Sequence, residues 1–224
     1  MAIGSSYVKR TAAVFGADLC GIASADRFKD APQGHHPRDI LHNCRSVVVL
    51  ARKSPPEIMN GGPDLYTRAR DRMALIMDTL AAYLAEDLKS GEVSAIIQKF
   101  MGPGRVDGSS RYRDLLSLKH AAELAGLGRI GRNTLLVNDR FGNMIWLSAV
   151  LTSLELEPDP PADYEACLPG CVLCRDACPV RALDGELMAQ RSCYEFAHSR
   201  INGNEKISCW ACRRVCPRSA GIPV

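Results

Sequence analysis

The stretch CLPGCVLCRDACPVRAL, residues 167–183, carries four cysteines, and CWACRRVCPRSAG, residues 209–221, carries three. Both contain Cys-x3-Cys-Pro, so they read as two copies of one motif with the second a cysteine short. The nearest cysteine outside them is Cys193, in RSCYEFAHSR. Counting it, eight of the ten cysteines fall between residues 167 and 224, and only Cys20 and Cys44 precede them. The N-terminal MAIGSSYVKRTAAVFGADLC has no apolar h-region. No uninterrupted apolar run approaches the roughly 20 residues of a membrane span. The expectation is a soluble, cytoplasmic protein with no membrane partner. In that compartment thiols stay reduced, and clustered cysteines read as metal ligands before disulfides. A net charge of +3 on 224 residues is too small to argue by itself for nucleic acid or anionic lipid.

The spacing narrows the metal. Bacterial proteins with two 4Fe-4S clusters use C-x2-C-x2-C-x3-C-P twice, and the fourth cysteine of each set ligates the other cluster. Here the first set is Cys167-x3-Cys171-x2-Cys174-x3-Cys178-Pro179, one residue longer in its first gap. The second is Cys209-x2-Cys212-x3-Cys216-Pro217, with Cys193 as the candidate eighth thiol. Three cysteines on a tight loop face three irons of one cube. The fourth, expected at the start of a short helix whose first turn suits proline, reaches the neighbouring cube. The pattern assigns Cys167, Cys171, Cys174 and Cys216 to one cluster, and Cys178, Cys193, Cys209 and Cys212 to the other. Two zinc sites are the competing reading, because C-x2-C pairs also hold zinc, although zinc has no need of the repeated Cys-x3-Cys-Pro. Cys20 and Cys44 lie in or beside expected strands and read as buried thiols.

Upstream, the pattern is mixed α and β. Ser6 to Phe15 reads as a helix stopped by Gly16. ADLCGIAS and SVVVLA read as strands, and EVSAIIQ as another. Leu65, Ala69, Met73, Ile76, Leu80, Leu84 and Leu88 recur at helical spacing, predicting one long helix from Asp64 to Ser90. A second helix is expected over Arg113–Leu124. NTLLVN and NMIWLSAVLT flank DRFG, which suggests a hairpin. LEPDPPADYEA, residues 156–166, has the prolines and acids of a linker or lobe boundary.

AGLGRIGRN, residues 125–133, contains Gly126-x-Gly128-x-x-Gly131, which matches the dinucleotide fingerprint by pattern alone. That fingerprint follows a strand and opens a helix, whereas this one follows a helical stretch and precedes an apolar strand. The remaining readings are a helix C-cap followed by a turn, and a backbone-lined loop that approaches a phosphate or large cofactor. The loop reading is favoured and makes Gly126, Gly128 and Gly131 cofactor-binding, with Arg129, Arg132 and Asn133 as side-chain donors.

A helix running into AGLG-x-IG-R-N, a hairpin, a proline-rich link, a four-cysteine motif, an isolated cysteine and Cys-x2-Cys-x3-Cys-Pro, in that order, resembles the epoxyqueuosine reductase family. The resemblance is strongest from Ser117 to Pro217. It implies an α+β fold: a nitroreductase-like, cobalamin-binding lobe over residues 1–160, and a ferredoxin-like lobe with two 4Fe-4S clusters over 161–224. It also implies Cys193 as the missing ligand. Family members carry Asp-Ser-Ala-Pro-Val-x-Glu-Arg before the AGLG turn, with the aspartate as proton donor. Here Tyr112 stands at the aspartate's position, Leu118-Lys119 replaces Glu-Arg, and Asp107 and Asp114 are displaced. The chain ends eight residues after Cys216, without the helical repeats that help such enzymes hold tRNA. With the small net charge, this weighs against tRNA as substrate.

The expectation is therefore an iron–sulfur oxidoreductase that takes electrons from an external low-potential donor. It would pass them through two clusters to a cofactor, cobalamin or alternatively flavin, that reduces a small-molecule substrate. Tyr112 and Asp114 are the candidate proton donors. The alternative is a non-catalytic electron-transfer or accessory protein. Lys119 and His120 read as a solvated helix face, and His35 and His36, in APQGHHPRD, as an exposed loop.

Overall fold

The computed structural model describes residues 3–89, 91–98, 105–106, 112–201 and 204–222. Helix α1 (Ser5–Phe15) leads to strand β1 (Leu19–Ser24), the short α2 (Pro37–Ile40) and β2 (Ser46–Lys53). Helix α3 (Pro63–Leu88) precedes β3 (Ala95–Gln98), β4 (Arg105–Val106) and β5 (Tyr112–Arg113). Then come α4 (Leu118–Leu124), β6 (Arg129–Ile130), β7 (Leu136–Val137) and β8 (Ile145–Thr152). The cysteine-rich segment holds α5 (Leu173–Asp176), α6 (Gln190–Ala197), β9 (His198–Ile201), β10 (Asn204–Ile207) and α7 (Ala211–Arg214).

A four-stranded antiparallel sheet of order β1-β2-β8-β3 is the frame. Alternation along β2 and β8 gives the sheet two apolar faces. Val48, Leu50, Trp146 and Val150 face α1 and the long α3, where Val8, Met77, Leu84 and Leu88 are fully buried. Each such side chain stabilises the fold by about 1.5–3 kcal/mol relative to exposure. Val47, Val49, Ala51, Leu147, Ala149 and Leu151 face the other way, onto Phe28 and α4. Gly16, at φ 107°, closes α1 where its sequence placed the stop.

Three local expectations are corrected. The helix expected from Arg113 starts only at Leu118, because Tyr112–Arg113 pairs with Arg105–Val106 and Leu116 is drawn into the core. The hairpin expected between NTLLVN and NMIWLSAVLT closes only as a tight turn, where Asn138 and Gly142 exchange both backbone hydrogen bonds, and its strands do not pair further. Leu136–Val137 pairs backward with Arg129–Ile130, while β8 joins the main sheet. The acidic, proline-rich segment is not a free linker. The Asp159 N–H donates to the Ile22 carbonyl of β1 at 2.8 Å, its carboxylate accepts the Ile22 N–H at 2.9 Å, and it pairs with Lys9.

Candidate functional site

The cysteine-rich segment folds through two short helices, α5 and α7, each carrying the third cysteine of its set, Cys174 and Cys212. The helix expected to begin at the fourth cysteine instead lies before it. Cys178 and Cys216 end the α5 and α7 turns, their carbonyls accept from Arg181 and Ser219, and the following prolines sit in tight turns. Cys167, Cys171, Cys174 and Cys216 line one small cavity with Asn133 and Val137. Burial raises the Cys216 thiol, and Cys167, Cys174 and Cys171 raise it further. Cys193 is likewise raised by burial and then by Cys178 and Cys209. Burial pushes Cys212 up to about 11 against the pull of Arg213, with Cys193, Cys209 and Cys174 adding to the rise. Cys167, Cys171, Cys174 and Cys216 thus share one cavity, Cys193 interacts with Cys178 and Cys209, and Cys212 interacts with Cys193, Cys209 and Cys174. No disulfide forms among the ten cysteines. Among the described residues no three His, Cys, Asp or Glu side chains converge tightly enough to hold a single ion.

The glycine-rich turn is part of this cysteine wall. Gly126, at φ 73°, caps α4: its N–H donates to Glu123 and that of Leu127 to Ala122, the paired bonds of a Schellman motif. A Cβ there would lie 2.2 Å from the Pro160 carbonyl. At Gly131 a Cβ would sit 3.4 Å from Cys167 Sγ. The Arg132 N–H donates to Cys167 Sγ at 3.3 Å, and its guanidinium donates to the Cys171 carbonyl at 2.6 Å. Asn133, 4% exposed, turns its Oδ1 back to the Leu135 N–H, and Arg129 pairs with Glu123. The C-cap reading thus describes the start of the turn, and its remainder packs on the first cysteine set.

The excursion between Cys193 and Cys209 is the β9–β10 hairpin, fastened to α3. Glu205 accepts from Arg70 at 3.3 Å, from Tyr194 at 2.9 Å and from His198 at 2.8 Å. Burial raises the Glu205 carboxyl, but those three donors outweigh it and hold its pKa below the usual carboxylate range. The Ile207 N–H donates to Thr67, and Trp210, next to Cys209, stacks on Tyr66 with ring centroids 4.3 Å apart. Sequence reasoning missed Arg70 and Glu205. The one available signal was an arginine on the apolar face of an amphipathic helix.

Between α4, the Glu186–Gln190 segment and the Ile145–Leu147 end of β8 lies a cleft of about 790 Å³, within the size range of cofactor pockets. Asp114, Lys119, His120, Asn143, Gln190 and Arg213 are among its lining residues. None of Gly126, Gly128, Arg129, Gly131, Arg132 or Asn133 lines it. Lys119 is not on a solvated face, since its ammonium donates to the Thr134 carbonyl at 2.9 Å, whereas His120 stays exposed as expected and bonds Ser117; burial lowers both pKa values. His35 also lines the cleft and donates to the Asp114 carbonyl at 2.7 Å, whereas His36 caps α2. The Tyr112 backbone pairs with Val106, but its side chain, like Asp107, lies outside the described residues. The guanidinium of Arg213 stacks over the Trp146 ring at 5.0 Å. Both amide atoms of Asn143, Oε1 of Gln190 and Nη1 of Arg213 are buried with no hydrogen-bond partner among the described residues.

No family model matches the chain. Curated relatives named epoxyqueuosine reductase do. The Bacillus subtilis protein is 34% identical over 83% of this chain and 50% of its own length. The Staphylococcus aureus protein is 28% identical over 90% of this chain and 55% of its own length. The chain thus spans about half the length of these relatives. Among solved structures, an epoxyqueuosine reductase with a tRNA stem loop superposes with TM-score 0.59 at 20% identity, covering 96% of this chain and 64% of that one. A reductive dehalogenase, described with a mechanism for B12-dependent dehalogenation, superposes with TM-score 0.69 at 19% identity, covering 97% and 32%. At such identities the structural likeness speaks for the fold, a mixed α/β architecture. No described helix is long and apolar enough to cross a membrane. Taken with the ordered motifs, these likenesses support the epoxyqueuosine reductase-like family that the motifs resemble.

Proposed function

We propose that the chain is an iron–sulfur oxidoreductase of the epoxyqueuosine reductase-like type. Residues 1–160 form a nitroreductase-like lobe that seats cobalamin in the cleft, and residues 161–224 a ferredoxin-like lobe. Cys167, Cys171, Cys174 and Cys216 hold one 4Fe-4S cluster, and Cys178, Cys193, Cys209 and Cys212 the other. The observation that carries this reading is the cavity shared by Cys167, Cys171, Cys174 and Cys216, together with the mutual influence of Cys193 with Cys178, Cys209 and Cys212. Arg213, directly after Cys212, lines the cleft.

The residues present fit these groups. Each quartet offers soft thiolate donors, and backbone N–H groups point at two of the sulfurs, Arg132 to Cys167 and Ala182 to Cys178 at 3.2 Å. The cleft pairs apolar walls with unpartnered polar atoms, as a large amphipathic cofactor needs. When bound, the clusters supply one-electron transfer and cobalamin supplies the redox-active cobalt at which a substrate is reduced. The thiols must lose their protons on loading, which makes that step pH-dependent, and burial raises Cys174, Cys193, Cys212 and Cys216 against it. Asp114, Lys119 and His120 are among the cleft-lining groups able to hold a proton beside a substrate. Burial lowers the pKa of Lys119 and of His120, which eases proton release from each.

Electrons enter from an external low-potential donor. The argument against tRNA rested partly on a net charge of +3. A solved neighbour holding a tRNA stem loop weakens it, so the substrate is read as a small group, free or carried on tRNA. The test is an anaerobic titration of iron-loaded protein with hydroxocobalamin and, separately, with flavin. Cobalamin binding with a shift toward its base-off spectrum supports the reading. Flavin binding alone replaces the cofactor. Binding of neither favours the accessory electron-transfer alternative.

A further inference from the structure

Two buried asparagines lie five residues apart in the loop entering β8, and they are used oppositely. Asn138, 4% exposed, is fully committed: its Nδ2 donates to the Leu127 carbonyl at 2.8 Å, and its Oδ1 accepts from the N–H groups of Arg140 and Phe141 at 3.0 and 3.1 Å. It builds the turn. Asn143 is more deeply buried, at 1% exposure, yet neither its Oδ1 nor its Nδ2 has a partner among the described residues. Buried amides are almost always paired, because leaving one unpaired forfeits its hydration without return. Asn143, in the turn before β8, lines the cleft with Ile145 and Leu147. Arg213, 8% exposed, lines the cleft too, held by its stack on Trp146 and with Nη1 unpartnered.

We propose that Asn143 and Arg213 form a recognition subsite for a carboxamide-type edge, a planar group that offers one N–H and one carbonyl oxygen. Asn143 pairs with it reciprocally, one donor to one acceptor in each direction. Arg213 adds a cationic donor to the same ligand's carbonyl, strengthened by charge in a site sheltered from water. The proposal rests on reading the cleft as a cofactor site. Primary carboxamides on the corrin rim and the imide edge of a flavin both carry this chemistry, and the experiment separates them.

Arg213 adjoins Cys212, so the test uses Asn143 in the full, iron-loaded chain. Asn143→Leu keeps the branched shape without polar atoms, and Asn143→Ala removes them without adding bulk. In the absence of added cofactor, both variants should unfold at the wild-type temperature or about 2–4 °C above it, because an unpaired buried amide has been removed. Asn138→Ala should unfold several degrees lower. Titrated with hydroxocobalamin and with flavin mononucleotide, both Asn143 variants should bind the ligand that wild type binds roughly tenfold more weakly. Wild-type affinity in both variants overturns the subsite. So does destabilisation of both to the extent of Asn138→Ala, which would mark Asn143 as structural. If wild type binds neither probe, the cofactor reading falls. The unfolding comparison then decides the subsite: unchanged or raised stability supports a site kept for another ligand of this chemistry, and lowered stability rejects it.

Discussion

The backbone N–H of Arg132 points at Cys167 Sγ from 3.3 Å, while the side chain of the same residue holds the Cys171 carbonyl at 2.6 Å. One residue of the glycine-rich turn thus touches two members of the first cysteine quartet. A cation beside a cluster favours the more negative, reduced state, and cluster potentials respond to local charge and hydrogen bonding. Arg132→Ala keeps the N–H and removes the cation. It should lower the reduction potential of one cluster, leave the other unchanged, and reduce stability by about 1 kcal/mol through the lost hydrogen bond. A redox titration followed by electron paramagnetic resonance checks this. Two unchanged potentials would mean that Arg132 acts on neither cluster.

The hairpin between Cys193 and Cys209 hangs on Arg70, whose side chain is 6% exposed. Truncating Arg70 or neutralising Glu205 releases the loop that brings two thiols of the second quartet together. Arg70→Met should reduce stability by about 1–3 kcal/mol, the range for a hydrogen bond to a charged group. Iron content should fall toward half, with the loss confined to one cluster signal. Full loading of both clusters in Arg70→Met would assign the network to stability alone.

Cys20 and Cys44 lie outside both quartets and carry a separate pH signature. Burial pushes Cys20 from 9.0 up to about 12, against Lys9 and with Asp159 adding, and pushes Cys44 from 9.0 up to about 11. The unfolded chain ionises these thiols near pH 9 while the folded chain keeps them protonated. The unfolded state then binds fewer protons, so folding stability is fully present below about pH 9 and falls as pH rises toward 11 and 12. Denaturant melts across that window should show the decline, and Cys44→Ala should make it shallower. An equal slope in wild type and variant would remove Cys44 from the account.

The sheet strands, the long α3 and the order of the cysteine motifs were legible because each depends on local periodicity or spacing. SVVVLA became β2, and Leu80, Leu84 and Leu88 became the buried stripe of α3. The glycine turn misled because Gly126-x-Gly128-x-x-Gly131 satisfies a motif whose chemistry depends on what precedes it. Here Gly126 ends a helix, and Gly131 lies against the sulfur of Cys167, 36 residues further along the chain. Long-range pairings left no trace in sequence: Glu205 lies 135 positions from Arg70. Lys119 looked exposed by polarity alone, yet it is partly buried at the cleft, because α4 packs its Ala121 and Ala122 onto the sheet beside it. Asn143 had no sequence signal at all. Its significance comes from burial without a partner.

The central claim is that eight cysteines act as two interlocked quartets, and metal analysis of anaerobically purified protein tests it most directly. The account predicts about eight irons and matching inorganic sulfide per chain, with a broad absorbance near 400 nm that dithionite bleaches. Cys216→Ala and Cys193→Ala should each remove one cluster, and not the same one. Two tightly bound zinc ions with no iron, or loss of the same cluster in both variants, would contradict it.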